Sequence, residues 1–331
     1  MRFVDLFAGI GGFRMGMQRA GHEPVGWCEK DKFAQKSYRS IYNTEREWFA
    51  DDITTVQPEG MPEFDCLTGG FPCQSFSVAG KRGGFEDTRG TLFFEIARLA
   101  RAKQPKYILL ENVRGLLSHD GGKTFGTIIN TLQNLGYSCE WQVLNSKDFS
   151  TKERPTPQSR ERVFIIGHFG EFGGRQVFPV REKTEGTTGK FKKIENIYPN
   201  QTGLYRSYGE TGTRNYANTI DANYHKGLDN RGGRTAVLEK VPDWITSPDE
   251  ISRTIRKSGR SSLSNKHNWD TIHDGQRIRK LTPRECWRLQ GFPDWAFERA
   301  EEVNSDTQLY KQAGNSVTVN VVEAIARRLK Q

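Results

Sequence analysis

Arg2-Phe3-Val4-Asp5-Leu6-Phe7-Ala8-Gly9-Ile10-Gly11-Gly12-Phe13 decides the fold class. Phe3, Val4, Leu6 and Phe7 make Arg2 to Phe7 read as a strand buried on both faces, the pattern of a parallel sheet. The run breaks at Ala8-Gly9-Ile10-Gly11-Gly12, and Phe13 to Arg19 then reads as a helix. Strand, glycine turn and helix open a doubly wound α/β fold, in which glycines let the backbone approach a ligand. The spacing is not Gly-x-Gly-x-x-Gly, so it does not mark a dinucleotide pyrophosphate site, and such turns also serve packing. Pro24 to Cys28 is the next strand and ends at Glu29. An acid about 20 residues past the turn is placed to hold ribose hydroxyls. Asp52-Ile53 follows a third strand and is placed to meet a base edge. Each acid alone reads equally well as a strand end or helix cap. Together with the turn they favour a nucleoside cofactor.

Working outward, Phe64 to Thr68 is a short strand ending at Gly69-Gly70, and Gly70-Phe71-Pro72-Cys73-Gln74 follows. A cysteine just past a strand end, behind a proline of fixed φ, is placed like a nucleophile. A free cysteine by itself is more often a buried small apolar residue. The balance shifts with Glu111, expected to end the apolar strand Lys106 to Leu110. Carboxyl-terminal strand edges line the crevice of α/β proteins, so nucleophile and acid would face one pocket. Gly80 to Gly90 carries Lys81, Arg82 and Arg89 among glycines, a loop suited to closing on phosphates or a plain surface loop. Helices are expected over Thr91 to Lys103 and Thr124 to Leu135, and strands over Ser138 to Leu144 and Val163 to Gly167. Arg160 and Arg162, one residue apart ahead of the last strand, are expected to share a face.

Composition bounds the partners. The chain has 331 residues and a net charge of +9. From Arg175 to Lys280 there are 20 basic against 12 acidic residues, so nearly all the excess lies there, interleaved with Tyr205, Tyr208, Tyr216, Tyr224, Trp244 and Trp269. That is the distribution of a phosphate-binding face, although a loop-rich protein-binding module would share it. Cysteines 28, 66, 73, 139 and 286 form no Cys-x-x-Cys pair and no metal-ligand spacing, which suits reduced thiols in a cytosolic protein. No apolar run approaches a membrane span and no signal peptide precedes the first strand. Thr282, Pro283 and Glu285 begin a capped helix from Arg284 to Gln290, and Ser316 to Lys330 reads as a final helix.

Asp5 to Gly12, Gly70 to Ser77, Glu111-Asn112-Val113, Gln158 to Arg162, Arg279 to Cys286, Gln290 to Pro293 and Gly314 to Val317 resemble the motifs of the DNA (cytosine-5) methyltransferase family, in that family's order. The resemblance implies a class I S-adenosylmethionine-dependent methyltransferase fold of the α/β type. It implies a catalytic domain over 1–174, a smaller, loop-rich target-recognition domain inserted at 175–280, and a return to the catalytic domain over 281–331. Cys73, Glu111, Arg160 and Arg162 would be catalytic. Phe7, Gly9, Ile10, Gly11, Gly12, Glu29, Asp52, Ile53, Pro72, Asn315 and Ser316 would hold S-adenosylmethionine and its product S-adenosylhomocysteine. Ser77, Lys81, Arg82, Arg89, Thr219, Arg231, Arg234, Arg253, Arg256 and Lys257 would meet DNA, with Thr219-Ile220 resembling the family's paired Thr-Leu motif. The chain departs from the family at Ser150 to Thr156, a polar insert expected to form a surface bulge.

The activity implied is methylation of cytosine C5 in a short sequence of double-stranded DNA, by base flipping and a cysteine adduct at C6, with no metal. A monomer in the bacterial cytoplasm, at the nucleoid through DNA, is expected, with a cognate restriction endonuclease as a companion but not a stable partner. The competing readings are an RNA or tRNA cytosine-5 methyltransferase on the same scaffold and a catalytically silent DNA-binding regulator.

Overall fold

Both apolar faces of the first strand are covered. The computed structural model describes residues 1–72, 92–170, 176–180, 220, 222 and 281–329, and the backbone of strand residues 201–206, 213–214, 217–218, 235–240, 272–273 and 276–280. Strand β1 (Arg2–Leu6) lies inside a seven-stranded sheet with β2 (Glu23–Cys28), β3 (Trp48–Ala50), β4 (Cys66–Gly70), β5 (Tyr107–Val113), β6 (Tyr137–Asn145) and β8 (Glu161–Phe169). The order is β3-β2-β1-β4-β5-β8-β6. The first five strands of that order pair in parallel, and β8 runs antiparallel to both β5 and β6. The short β7 (Gln158–Ser159) precedes β8.

Side chains alternate across the sheet, as the two-residue period of a strand requires. Phe3, Tyr107, Leu109, Phe164 and Ile166 pack on one face with Met17, Val321, Val322 and Ile325, from α1 (Gly12–Arg19) and α8 (Val319–Ala326). Val4, Leu6, Leu67, Ile108, Leu110, Val163 and Ile165 pack on the other with Phe93, Ile96 and Ile128, from α3 (Leu92–Lys103) and α4 (Lys123–Asn134). A third apolar cluster joins α2 (Lys32–Ile41) to α5 (Pro283–Leu289), α6 (Asp294–Glu301) and α7 (Asp306–Asn315), with Trp287 fully buried. The strand order reverses between β1 and β4, and in open α/β sheets ligands bind in the crevice at that point.

Between 201 and 280 the chain builds a second, antiparallel sheet of five strands: β9 (Gln201–Arg206), β10 (Thr213–Arg214), β12 (Thr235–Lys240), β13 (Ile272–His273) and β14 (Gln276–Lys280). Strand β11 (Ala217–Asn218) is not in it; it pairs in parallel with β7.

Three expectations need correction. The strand expected to stop before Glu111 continues to Val113, because Glu111, Asn112 and Val113 pair with Phe164, Val163 and Arg162. The helix expected over Ser316 to Lys330 is shorter: Ser316 and Thr318 are extended at the end of α7, and α8 covers Val319–Ala326. The Ser150 to Thr156 insert exposes Lys152 and Glu153 at the surface, but it is docked rather than bulging free. Arg154 ion-pairs with Glu323 of α8, Asn320 Nδ2 donates to the carbonyls of Phe149 (3.1 Å) and Arg154 (2.8 Å), and Thr156 is fully buried. The capping box of α5 is as expected: Thr282 Oγ1 accepts from Glu285 N, and Glu285 Oε2 from Thr282 N.

Candidate active site

The ends of β4 and β5 lie side by side, with Gly70 opposite Glu111. A Cβ on Gly70 would stand 3.1 Å from Glu111 Oε2, so glycine there leaves room for the carboxylate. Asn112, 3% exposed, donates from Nδ2 to the carbonyl of Phe71 at 2.8 Å. That bond ties down the peptide leading through Pro72 to Cys73. Nothing in the sequence singled out Asn112 beyond its place in the Glu111-Asn112-Val113 motif. Cys73 itself lies outside the described residues, as do Ser77, Lys81, Arg82, Arg89, Thr219, Arg231, Arg234, Arg253, Arg256 and Lys257.

Glu111 meets Arg162. Arg162 lies two residues from Phe164, the cross-strand neighbour of Glu111, and so projects on the same face within diagonal reach. Its Nε stands 3.0 Å from Glu111 Oε1, with the side chains 16% and 12% exposed. Its Nη1 also donates to the Glu161 carbonyl at 2.8 Å. The pair presents a carboxyl and a guanidinium together at one edge of the crevice.

Arg160 is held elsewhere. It is 3% exposed and precedes β8. Its Nη1 donates to the carbonyl of Ile220 at 3.1 Å, and its Nη2 to those of Gly314 (3.0 Å) and Ser316 (2.8 Å). Burial, then the neighbouring Arg162 charge, pushes its pKa down to about 9, so it remains a cation at neutral pH. The structure therefore does not bring the two arginines onto one group.

The other end of the crevice gathers the acids of β2 and β3. Glu29 Oε2 accepts from Gly9 N at 2.8 Å and Oε1 from Asp31 N at 2.7 Å. Burial raises the Glu29 pKa, partly offset by the backbone N–H groups of Asp31 and Gly9. Asp52 caps a short 3-10 turn: Oδ1 accepts from Thr54 N and Thr54 Oγ1, and Oδ2 from Lys30 Nζ at 2.6 Å. The Lys30 ammonium and Thr54 hold its pKa at about 2. Phe7 and Gly9 both take positive φ, 53° and 55°, and are half-buried at the turn. Gly11 and Gly12 answer to packing: added Cβ atoms would meet the Tyr42 ring at 2.5 Å and the Val317 carbonyl at 2.6 Å. Ile10, Ile53 and Ser316 are buried, whereas Pro72 and Asn315 are exposed.

A buried polar chain, which sequence reading missed, joins the motifs behind this crevice. Ser146 and Thr318 share a hydroxyl hydrogen bond of 2.8 Å, Thr318 Oγ1 donates to Gln290 Oε1 at 3.0 Å, and Gln290 Nε2 to Gln158 Oε1 at 3.2 Å. Gln158 and Gln290 are fully buried, and their residue type gives no hint of partners 132 positions apart.

The fold is that of a methyltransferase. The chain superposes on the crystal structure of S. pombe Dnmt2 methyltransferase with a TM-score of 0.64, at 19% identity, over 98% of this chain and 96% of the other. It belongs to the C-5 cytosine-specific DNA methylase family, whose model matches residues 1–331, and it is an enzyme that methylates cytosine C5 in DNA. It is similar to the type II methyltransferase M1.ScrFI of Lactococcus lactis subsp. cremoris, 37% identical over 99% of this chain and 77% of the relative. It is also similar to the type II methyltransferase M.SsoII of Shigella sonnei, 40% identical over 99% and 79%. Among the described residues, no helix is long and apolar enough to cross a membrane.

Proposed function

We propose that methylation proceeds by covalent catalysis from Cys73, with Glu111 and Arg162 at the pyrimidine ring, on a cytosine turned out of double-stranded DNA at a short specific sequence. The observation that carries this reading is the Glu111–Arg162 pair at 3.0 Å, beside the Gly70-Phe71-Pro72 segment that Asn112 ties down ahead of Cys73. Cytosine C5 is too weak a nucleophile to be methylated unaided. Addition of the Cys73 thiolate forms a sulfur–C6 bond and moves the C5–C6 π electrons toward C4 and N3. Glu111 holds or protonates N3, and Arg162 donates to O2, so charge does not build on the ring. The resulting enamine makes C5 the methyl acceptor. Loss of the C5 proton to a base then restores the C5–C6 double bond, Cys73 leaves as thiolate and the N3 proton is returned. A base stacked in a duplex is out of reach of this machinery, which is why flipping is part of the reading.

The turn and strand ends fit S-adenosylmethionine. Among the described residues, a Cβ on Gly9 would find no atom beyond its chain neighbours closer than Phe7 O at 4.0 Å, which supports a ligand above the turn. Each Glu29 oxygen accepts one backbone N–H and keeps a lone pair for a ribose hydroxyl. Asp52 Oδ2 keeps one for an amino group on the base. When bound, the cofactor supplies an electrophilic methyl group on a sulfonium. Phe7, Gly9, Ile10, Gly11, Gly12, Ile53, Pro72, Asn315 and Ser316 complete the proposed cofactor site.

Residues 175–280 are read as the target-recognition domain, set between catalytic parts 1–174 and 281–331. What supports this is the net charge of 20 basic against 12 acidic residues and an antiparallel sheet separate from the main one. The DNA contacts proposed there are Thr219, Arg231, Arg234, Arg253, Arg256 and Lys257, with Ser77, Lys81, Arg82 and Arg89 in the first part.

Cys73→Ser tests the mechanism, because serine is not ionised enough to add at C6 at neutral pH. The variant should leave plasmid DNA unmethylated by bisulfite sequencing while still binding S-adenosylhomocysteine. Duplex DNA bearing 5-fluorocytosine should trap wild type, with S-adenosylmethionine, in a complex that survives denaturation, since fluorine cannot leave C5 as a proton does. Methylation by the serine variant at a rate near wild type would overturn the assignment.

A further inference from the structure

We propose that Arg160 is a positioning residue that couples target recognition to methyl transfer, by pinning the Ala217 to Ile220 segment of the inserted region to the end of α7 beside the chemistry. The inference rests on reading 175–280 as the recognition region.

Three observations converge. The two terminal nitrogens of one guanidinium donate to carbonyls of Ile220, Gly314 and Ser316, residues 60, 154 and 156 positions away. Gly314 and Ser316 stand at the C-terminal end of α7, where carbonyls lack helical partners and the helix dipole favours a cation. Ala217, Asn218 and Ile220 lie against the catalytic body and not in the second sheet: Ala217 and Asn218 pair with Gln158 and Ser159, and Ile220 is fully buried in the cluster with Leu281 and Trp287.

The backbone of Arg160 is itself fixed. Its N–H donates to Asn145 Oδ1 at 3.0 Å, and its carbonyl accepts from Ser146 N at 3.0 Å. Two residues on, Arg162 meets Glu111. The residue therefore sits where three things meet: the inserted region, the Asn315-Ser316 edge and the start of the strand that carries Arg162. A planar guanidinium satisfies several carbonyls from one rigid fork, which an ammonium on a flexible stem does not reproduce. Among the described residues its Nε has no hydrogen-bond partner, and it makes no ion pair with a carboxylate. Its bonds go to main chain, so what it sets is the path of three segments.

The test compares Arg160→Lys, and Asn145→Ser as a milder displacement of the same backbone, with wild type, below the unfolding temperature of each. The probe is a plasmid of mixed sequence, read by bisulfite sequencing as the ratio of methylation at the preferred site to sites one base different. S-adenosylhomocysteine affinity is titrated separately. The expected result is a fall in kcat of about 10–100-fold, the scale on which a misplacement of about 1 Å acts. The site ratio should fall with it, and S-adenosylhomocysteine affinity should fall by less than kcat, because only the Asn315-Ser316 edge of the proposed cofactor site is displaced. Asn145→Ser should move the same quantities in the same direction by less. Variants that lose only thermal stability, with kcat per folded molecule and site ratio unchanged, would overturn the proposal. If wild type itself showed no preferred site, the recognition reading would fail first, and the two failures are distinguishable.

Discussion

Glu111 and Arg162 meet because an antiparallel partner strand puts residues two apart on one face. Residue type and strand position are enough to nominate Glu111. They are not enough to separate Arg160 from Arg162, because a period of two puts both on one side. The separation comes from β8 starting at Glu161, which leaves Arg160 outside the strand and under three carbonyls. Glu111→Gln should lower single-turnover methylation by ~10²–10⁴, the worth of one positioned general acid. Glutamine still donates a hydrogen bond but has no proton to give up. S-adenosylhomocysteine binding should survive, since the proposed cofactor carboxylates are Glu29 and Asp52. An unchanged rate would remove Glu111 from the chemistry, and lost binding would put it on the cofactor side.

A single carboxylate on β6 holds the backbone of Val177 and Phe178 against the sheet. Glu140 Oε1 accepts from Val177 N at 2.8 Å and meets His168 Nε2 at 2.7 Å, while Oε2 accepts from Phe178 N at 2.9 Å. Gln142 Oε1 accepts from Val180 N at 2.9 Å, and Val177, Phe178 and Val180 are buried. Here a glutamate on an exposed-looking strand replaces the ladder bonds that a further strand would make. Glu140→Ala leaves buried N–H donors without an acceptor and should destabilise the fold by about 1–3 kcal/mol in urea unfolding. Burial alone would raise the Glu140 carboxyl, but His168 and the two N–H groups outweigh it and hold its pKa below the ordinary value. A carboxyl depressed in the folded state stabilises fully above its unfolded pKa and loses that contribution as pH falls through the folded one. The gap between wild type and Glu140→Ala should therefore narrow in acid. A gap that widens on acidification would contradict the clamp.

Charge is distributed unevenly over the whole molecule, and that is a statement about partners more than about fold. With 20 basic against 12 acidic residues between Arg175 and Lys280, DNA affinity should fall steeply with salt as neutralised phosphates release counterions. Arg231→Glu with Arg234→Glu should weaken DNA binding and make the log–log salt slope shallower by roughly 2, about 0.9 for each phosphate no longer neutralised. Titrated S-adenosylhomocysteine affinity should not change. Parallel loss of both affinities would mean that these arginines support the structure instead.

The sequence by itself determined the buried first strand, the glycine turn, the acids at strand ends, the capped helix at Thr282 and the order of the family motifs. Each of these is written in residues a few positions apart, where strand period, helix period and turn chemistry act. Tertiary structure decided the rest. It chose Arg162 over Arg160 for Glu111, docked the Ser150 to Thr156 insert on α8, and buried Gln158 against Gln290. It also showed that Gly11 and Gly12 make room for Tyr42 and Val317, whereas among the described residues a Cβ on Gly9 would meet nothing closer than 4.0 Å. These choices hang on groups 51 to 169 positions apart in the chain. No local pattern encodes which buried donor will find which carbonyl, because that depends on how the packed layers close over them.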